Sequence, residues 1–462
     1  MQGYGAPNQR AEPVFKTLAV SLYSRILYDF LRRGRGYPRR SWLPQPLSSR
    51  LEAIGIRNNP RVFLSAGEAS GDHYGAEIIA RLRTRLPGAT FTGLGGHAME
   101  DAGQHRVVRA EDVAHMGLTE VIRHAPYIYS QYRKLVRSIR RERPDVAVLI
   151  DFPDVNFRLA KHLRRSGVPV LWFVSPQLWA WKRSRIRWVQ QRVDRMLVIF
   201  PFEAPFYRAR NVAAEFVGHP LAQLEMPEIS KEEFVARYMP AGSAHPERSS
   251  HLNRPKIALL PGSRWKEVTA NLPAMLGGAA LLGPDYDFLI PVAGTLDKGR
   301  FSDLVFKEIL PGLNWPSSSI TLVPDAREAL YFSSASAVAS GTATVQALTI
   351  GNPFIVVYRV SKLSFALLKR LVRYPTEIPA DVDEAGNLPV GMVNLIAGRR
   401  IVPELLNDRF TAENVAGALR PLLEDTPERA RMVADLAEAR TKLGGADPMG
   451  RVCEVVEELL AT

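Results

Sequence analysis

The stretch Asp145-Val-Ala-Val-Leu-Ile-Asp-Phe-Pro-Asp-Val-Asn156 decides how this chain is read. Val146–Ile150 is an unbroken apolar run, the pattern of a strand buried on both faces of a parallel sheet. It ends in a carboxylate, Asp151, followed by a turn and a new helix. In open α/β sheets the carboxyl ends of the strands border the ligand crevice. A carboxylate there is partly desolvated and poised to accept a proton, which makes Asp151 a candidate catalytic base. The competing reading is that Asp151 only N-caps the next helix.

Working outward, strand and helix patterns alternate from Arg61 onward. Val62–Leu64 reads as a strand, and the small-residue loop Ser65 to Asp72 leads into a helix from about His73 to Leu86. Thr90–Leu94 is the next strand, closed by Gly95-Gly96, and Ala125–Glu142 reads as a helix. After the central strand a helix runs to Ser166, where Gly167 stops it, and Val168–Val174 follows as a strand. Ser175-Pro176 reads as the start of another helix, and Arg195–Phe200 and Glu215–Val217 complete six strands. Strands alternating with helices make a doubly wound domain over residues 58–222.

Residues 223–253 are polar and rich in Pro, Glu and Ser, and read as a linker. A second doubly wound domain, 254–425, has strands Ile257–Leu260, Phe288–Val292, Ile320–Val323, Ala335–Ala339 and Phe354–Tyr358. Two such α/β domains are expected to face each other across a cleft lined by strand carboxyl ends. Tyr374–Val390, with three prolines, reads as an insertion, and residues 426–462 as C-terminal helices.

The length of 462 residues suits two domains, and 46% apolar with 23% charged residues is a soluble globular composition. One cysteine, Cys453, excludes an intrachain disulfide and a cysteine-based zinc cluster and fits a reducing compartment. The nine histidines form no pair at metal-ligand spacing, so no metal is expected. A net charge of +13 implies an anionic partner: phosphorylated substrate, anionic lipid or nucleic acid. No RNA- or DNA-binding motif is recognisable, so nucleic acid is set aside. Residues 1–57 carry ten basic residues against three acidic ones. Phe15, Leu18, Leu22, Ile26 and Phe30 fall on one helical line before the Arg32-Arg33-Gly34-Arg35 cluster. Such a helix would anchor on an anionic membrane surface or dock on the enzyme itself. No run is apolar and long enough to span a bilayer, and no secretory signal layout opens the chain.

Two turns in the second domain have anion-binding chemistry. Ile257–Leu260 runs into Pro261-Gly262-Ser263-Arg264, and Ala335–Ala339 into Ser340-Gly341-Thr342-Ala343-Thr344, each at a helix start. Exposed backbone N–H groups and one arginine suit a diphosphate held between neighbouring strands. No Gly-x-Gly-x-x-Gly and no Walker sequence is present, which favours a nucleotide sugar over NAD or ATP. In the first domain, the loop with Glu68, Ser70 and Asp72 suits hydroxyl recognition, with a helix-terminus charge as the alternative for Asp72. Ser175-Pro-Gln-Leu-Trp179-Ala-Trp181-Lys-Arg183 joins aromatic and cationic groups, suited to an acylated, phosphorylated ligand, with one tryptophan expected in the core.

Taken together these segments resemble the lipid A disaccharide synthase family, glycosyltransferases that join two acylated glucosamines. The resemblance rests on Ser65–Asp72, Met116-Gly-Leu, Asp151–Asn156, Ser175–Trp181, Pro201-Phe-Glu203, Phe216-Val-Gly-His219-Pro220, Leu260–Arg264 with Glu267, Ser340–Ala343 and Asn394-Leu-Ile-Ala-Gly398. They occur in order over roughly residues 61–410. The resemblance implies two facing Rossmann-like domains of the GT-B type, with donor on the second and acceptor on the first. It implies a reaction without metal or cofactor: UDP-2,3-diacylglucosamine donates to 2,3-diacylglucosamine 1-phosphate, giving a β-1,6 disaccharide and UDP. It makes Asp151 the essential aspartate and Arg264 the phosphate arginine. Gly262, Ser263, Ser340, Gly341, Thr342, Gln346 and Asn394 fall to the nucleotide, and Glu68, Ser70, Asp72, Ser175, Trp179, Trp181 and His219 to the acceptor side. A cytoplasmic protein, peripheral on the inner membrane, is expected, and an oligomer is compatible with every motif. One departure stands out: Gln346 occupies the place of a glutamate that accepts ribose hydroxyls, a change worth about 1–2 kcal/mol. The rival readings are another UDP-sugar transferase or epimerase of this fold, and a non-catalytic acyl-sugar-binding protein.

Overall fold

The computed structural model describes residues 59–114, 125–239, 248–313, 315, 319–361, 365, 372–445 and 447–462. The basic N-terminal segment, the Met116-Gly-Leu motif and most of 363–371 lie outside the described residues. The described residues divide into two compact units. One comprises those within Met1–Gly218, Leu371–Pro375 and Ala446–Thr462, the other those within His219–Arg370 and Thr376–Gly445.

The first unit is built on seven strands: β1 Arg61–Ala66, β2 Thr90–Gly95, β3 Gln104–Arg109, β4 Val146–Ile150, β5 Val170–Phe173, β6 Arg195–Val198 and β7 Ala214–Phe216. All pair in parallel, in the order β3-β2-β1-β4-β5-β6-β7. The order reverses between β1 and β4, where Ala66 lies opposite Ile150, so the chain leaves both strands at the same edge of the sheet. Every side chain of β4 is fully buried, as its apolar run requires.

The second unit has six parallel strands: β8 Lys256–Leu260, β9 Asp287–Pro291, β10 Ile320–Val323, β11 Ala335–Ala339, β12 Phe354–Tyr358 and β13 Glu404–Leu406. Their order, β10-β9-β8-β11-β12-β13, reverses between β8 and β11, where Val338 lies opposite Leu260. Both sheets therefore carry a topological switch point, the usual place for a ligand in this architecture.

Several elements differ from the sequence reading. β3 and β13 are additional edge strands; β3 is mostly polar, with only Val107 and Val108 apolar, and β13 is only three residues long, so neither gives a buried-run signal. Ser175-Pro176 does not open a helix: the chain turns there, and helix begins only at Ile186 after a 3-10 turn at Arg183–Arg185. The polar segment 223–253 is not a free linker. Within it Lys231–Tyr238 is a helix closed by a Ser230–Glu233 capping box, and buried Phe234 stacks on Phe332 with ring centroids 4.5 Å apart. Finally, the C-terminal helices separate: Pro427–Thr441 lies in the second unit and Pro448–Leu460 in the first.

Candidate active site

At the first unit's switch point the chain leaves β4 through two consecutive left-handed residues, Asp151 (φ 44°) and Phe152 (φ 46°). Side chains other than glycine rarely adopt this region, at a cost of about 1–2 kcal/mol each. The conformation is held from several sides. Asp151 N–H donates to the Phe173 carbonyl at 3.0 Å, the last bond of the β4–β5 ladder. Asn156, fully buried, donates through Nδ2 to the carbonyl oxygens of Asp151 (2.7 Å), Ile150 (3.2 Å) and Ser65 (3.3 Å), and its Oδ1 accepts from Ser65 Oγ (2.6 Å). One amide thereby ties the ends of β1 and β4 together. The Phe152 ring fills the space beside Gly67, where an added Cβ would lie 2.4 Å from it, so glycine is required at 67.

Asp151 does not cap the helix that follows. That helix, Pro153–Arg165, starts from Phe152 with no side-chain cap, and its proline supplies the first turn. The Asp151 carboxyl is pushed up to about 7, first by burial and then by the charge of Glu68, with the Phe152 N–H pulling the other way. Tyr74, from the Ala69–Arg85 helix, is pushed up to about 12 by burial and by Asp151 and Glu77. A carboxylate ionising near neutral pH at a strand's carboxyl end is suited to take a proton from a hydroxyl.

Of the other residues expected on the acceptor side, Glu68 precedes and Ser70 lies in the first turn of the Ala69–Arg85 helix; both are exposed, and the Glu68 charge acts on Asp151. Asp72 has a different role. Its carboxylate accepts from the backbone N–H groups of Gly96 (2.7 Å), Ala98 (3.0 Å) and Met99 (3.2 Å), capping the His97–Asp101 helix, so the hydroxyl-recognition reading of Asp72 is corrected to a helix-terminus charge. His219 belongs to the second unit. Its Nδ1 accepts from Leu221 N–H at 3.0 Å and burial pushes its pKa down to about 4, so it is a neutral turn cap.

Beyond β5 the two tryptophans part. Trp179 is buried, with its Nε1 donating to Glu203 at 3.1 Å and its ring edge-on to Phe202 and Tyr374 at 5.2 and 5.3 Å. Trp181 is 41% exposed, with Lys182 Nζ 4.0 Å from its ring centroid. Ser175 Oγ donates to Glu203 at 2.7 Å. Glu203 itself was not read from the sequence as a site residue. Its signal is a lone carboxylate inside the apolar run Ile199-Phe-Pro-Phe-Glu-Ala-Pro-Phe206.

In the second unit the turns after β8 and β11 begin side by side because those strands pair. Gly262 has φ 122°, and an added Cβ would lie 2.6 Å from the Glu267 carboxylate. Glu267 accepts from Ser263 N–H (3.2 Å) and from Arg264 (3.2 Å), whose side chain is 70% exposed. An incoming diphosphate would meet those same donors. Ser340 Oγ donates to the Val390 carbonyl at 3.2 Å, Gly341 (φ 150°) precedes the Thr342–Ile350 helix, and Thr342 is exposed. Gln346 lies half-buried one turn on. Asn394 departs from its expected role in nucleotide binding. It is buried, its Nδ2 donates to the Val402 carbonyl (3.0 Å) and Glu404 (2.8 Å), and its Oδ1 accepts from Ile401 and Val402 N–H (2.8 and 3.1 Å). Its amide is used to hold the lead into β13.

The family model described as lipid-A-disaccharide synthetase matches residues 62–447. The chain belongs to the lipid-A-disaccharide synthetase family. A lipid-A-disaccharide synthase from Acidobacterium capsulatum is 48% identical over 411 residues, covering 87% of this chain and 96% of the relative. Another from Koribacter versatilis is 46% identical over 384 residues, covering 83% and 93%. Among solved structures, a putative UDP-N-acetylglucosamine 2-epimerase from Listeria monocytogenes superimposes with a TM-score of 0.53 at 12% identity, covering 87% of this chain and 96% of that one. That likeness is one of fold: two Rossmann-like domains of the GT-B type, shared by glycosyltransferases and epimerases. The family membership therefore rests on the sequence relatives, and it makes this family member a UDP-sugar-dependent glycosyltransferase.

Proposed function

We propose that Asp151 is the base with which this family member forms the lipid A disaccharide. The reaction transfers 2,3-diacylglucosamine from UDP to 2,3-diacylglucosamine 1-phosphate. Asp151 takes the proton of the acceptor's 6-hydroxyl as that oxygen bonds to the donor's anomeric carbon. The bond from that carbon to the diphosphate breaks, and UDP leaves with the electron pair. Arg264 and the N–H groups of the Ser340–Thr342 turn stabilise the charge that develops on the diphosphate. Trp181 with Lys182 meets the acylated, phosphorylated acceptor, ring against chain and ammonium against phosphate.

The observation that carries this reading is the Asp151 carboxyl, pushed up to about 7, on a backbone that Asn156 holds through the Asp151 carbonyl at the carboxyl end of β4. General-base removal typically costs about 10²–10⁴ in rate. The test is incubation of the full chain with both acylated sugars in detergent, following UDP and the disaccharide by mass spectrometry. Disaccharide should form with the wild type and fall by at least a hundredfold with Asp151→Asn. Epimerised donor without disaccharide would replace the transferase reading, and near-normal turnover by the variant would remove Asp151 from the role.

We also assign the protein a peripheral place on the cytoplasmic face of the inner membrane, on the basic residues 1–57 and the lipid nature of both substrates. No helix among the described residues is long and apolar enough to cross a bilayer.

A further inference from the structure

Glu203 opens the Glu203–Arg208 helix and is 1% exposed, yet it is a carboxylate surrounded by Phe200, Phe202 and Phe206. Burying such a group is costly unless it is hydrogen-bonded. Here three donors reach it: Ser175 Oγ at 2.7 Å, Trp179 Nε1 at 3.1 Å and Phe200 N–H at 3.3 Å. Two of the three come from the turn that follows β5. That turn begins at Val174, a β-branched residue with φ 61°, a conformation that persists only where its surroundings impose it. Val174 N–H donates to the Leu197 carbonyl at 3.1 Å and its carbonyl accepts from Trp172 Nε1 at 3.1 Å. The Tyr207 hydroxyl donates to the Pro176 carbonyl at 2.8 Å, so the same short helix grips the turn twice.

We propose that Glu203 is a positioning residue of the transfer site: through Ser175 and Trp179 its buried carboxylate fixes the turn that follows β5 and carries Trp181 and Lys182, and it stands as a second carboxylate near Asp151, whose N–H donates to Phe173 two residues before Ser175. The groups facing each carboxylate support the second half. Asp151 is faced by Glu68, Tyr74 and Glu203. Glu203 is faced by Ser175, Trp179, the Phe200 N–H, Tyr207 and Asp151. Burial pushes Glu203 up to about 7, the Asp151 charge adds a smaller push, and two like charges oppose each other's ionisation. A base that ionises near neutrality is stronger than an ordinary carboxylate and still free of its proton at working pH.

This inference rests on Asp151 being the base, and the experiment keeps the two apart. kcat/KM is followed against pH for the full chain and for Glu203→Gln, with donor and acceptor varied separately. The isosteric amide removes the charge and leaves one oxygen to accept. The acidic limb should move down by about one pH unit, as expected when a like charge is lost from a partly desolvated site. The acceptor KM should rise about tenfold while the donor KM stays within twofold. An acidic limb identical to the wild type, or equal rises in both KM values, overturns the proposal. Full activity in Asp151→Asn would instead overturn the assignment of the base, leaving the acceptor-KM arm to judge Glu203. If Glu203→Gln fails to fold, Ser175→Ala serves. Loss of that donor favours the protonated Glu203, so the limb should move in the same direction by a smaller amount, and an unmoved limb again overturns the proposal.

Discussion

Asn156 Nδ2 lies 2.7 Å from the carbonyl oxygen of Asp151, while Asn156 Oδ1 accepts from Ser65 Oγ at 2.6 Å. A buried amide on the helix after β4 thus links the ends of the two strands at the switch point. It holds Asp151 in a backbone conformation that the residue would not adopt alone. Asn156→Ala should leave the Ser65 hydroxyl and three carbonyls short of a partner, at about 1–3 kcal/mol for each buried group left unpaired. A lower melting temperature and a fall in kcat larger than any change in donor KM are expected. A variant as stable and as fast as the wild type would show that the tie is dispensable.

Asp151 and stability are linked through pH. The carboxyl ionises near 3.8 ordinarily and near 7 in the fold. Between those values the folded chain keeps a proton that the unfolded chain has lost. The stability contributed by the neutral carboxyl is therefore complete below about pH 4 and declines as pH rises through about 7. At about 1.4 kcal/mol per pH unit, Asp151→Asn should gain on the order of 2 kcal/mol over the wild type at pH 8 relative to pH 5. Denaturant melts at the two pH values measure this, and parallel curves would contradict the raised ionisation.

Arg264→Ala should weaken UDP binding, because a diphosphate loses its fork-shaped partner. A charge-assisted bond is worth about 1.5–3 kcal/mol, roughly tenfold to a hundredfold in affinity. The low end is expected, since Arg264 is largely exposed and already bonded to Glu267. Calorimetry giving the wild-type affinity would exclude Arg264 from the donor site.

Gln346→Glu should tighten UDP by about 1–2 kcal/mol, roughly tenfold, if position 346 accepts the ribose hydroxyls. Binding of UDP and of the deoxyribose analogue should then differ more in the variant than in the wild type. Equal affinities for all four combinations would separate position 346 from the ribose.

Removal of residues 1–57 should reduce binding to anionic vesicles while turnover of detergent-dispersed substrate stays similar. Basic residues near such a surface contribute about 1 kcal/mol each, and salt should weaken the intact chain's binding. Vesicle binding that survives the truncation would locate the lipid contact elsewhere on the chain. Aggregation and a lower melting temperature would mean that the segment docks on the enzyme.

Most of the inner strands were legible because burial on two faces leaves a run of apolar residues. Val146–Ile150, Ile320–Val323, Ala335–Ala339 and Phe354–Tyr358 have the bounds read from the sequence. What stayed hidden depends on partners far along the chain. Nothing local in Val174-Ser-Pro distinguishes a left-handed turn from a helix start, because the residues that impose the turn are Trp172, Leu197 and Glu203. Asp72 and Asn394 carry the side chains a ligand site would need, yet the fold uses them first, on the His97–Asp101 helix terminus and on the lead into β13. Glu203 illustrates the reverse: a charged residue in an apolar run is visible, but its meaning appears only once Ser175 and Trp179 are beside it.

The last helix returns to the first unit. Pro448–Leu460 is fastened there by Arg85 to Glu457 (2.6 Å), by Arg451 to Glu215 (2.7 Å) and by the Arg81–Asp447 contact, with Cys453 buried against the Ala69–Arg85 helix. During synthesis the strands of that unit emerge first, but the helix that covers them is made only after the second unit. The unit bearing Asp151 therefore keeps apolar surface uncovered until Pro448–Leu460 has been made. A nascent protein stopped after residue 445 would carry every strand of both sheets, yet the first unit would still lack the helix that packs on its strands β4 and β5.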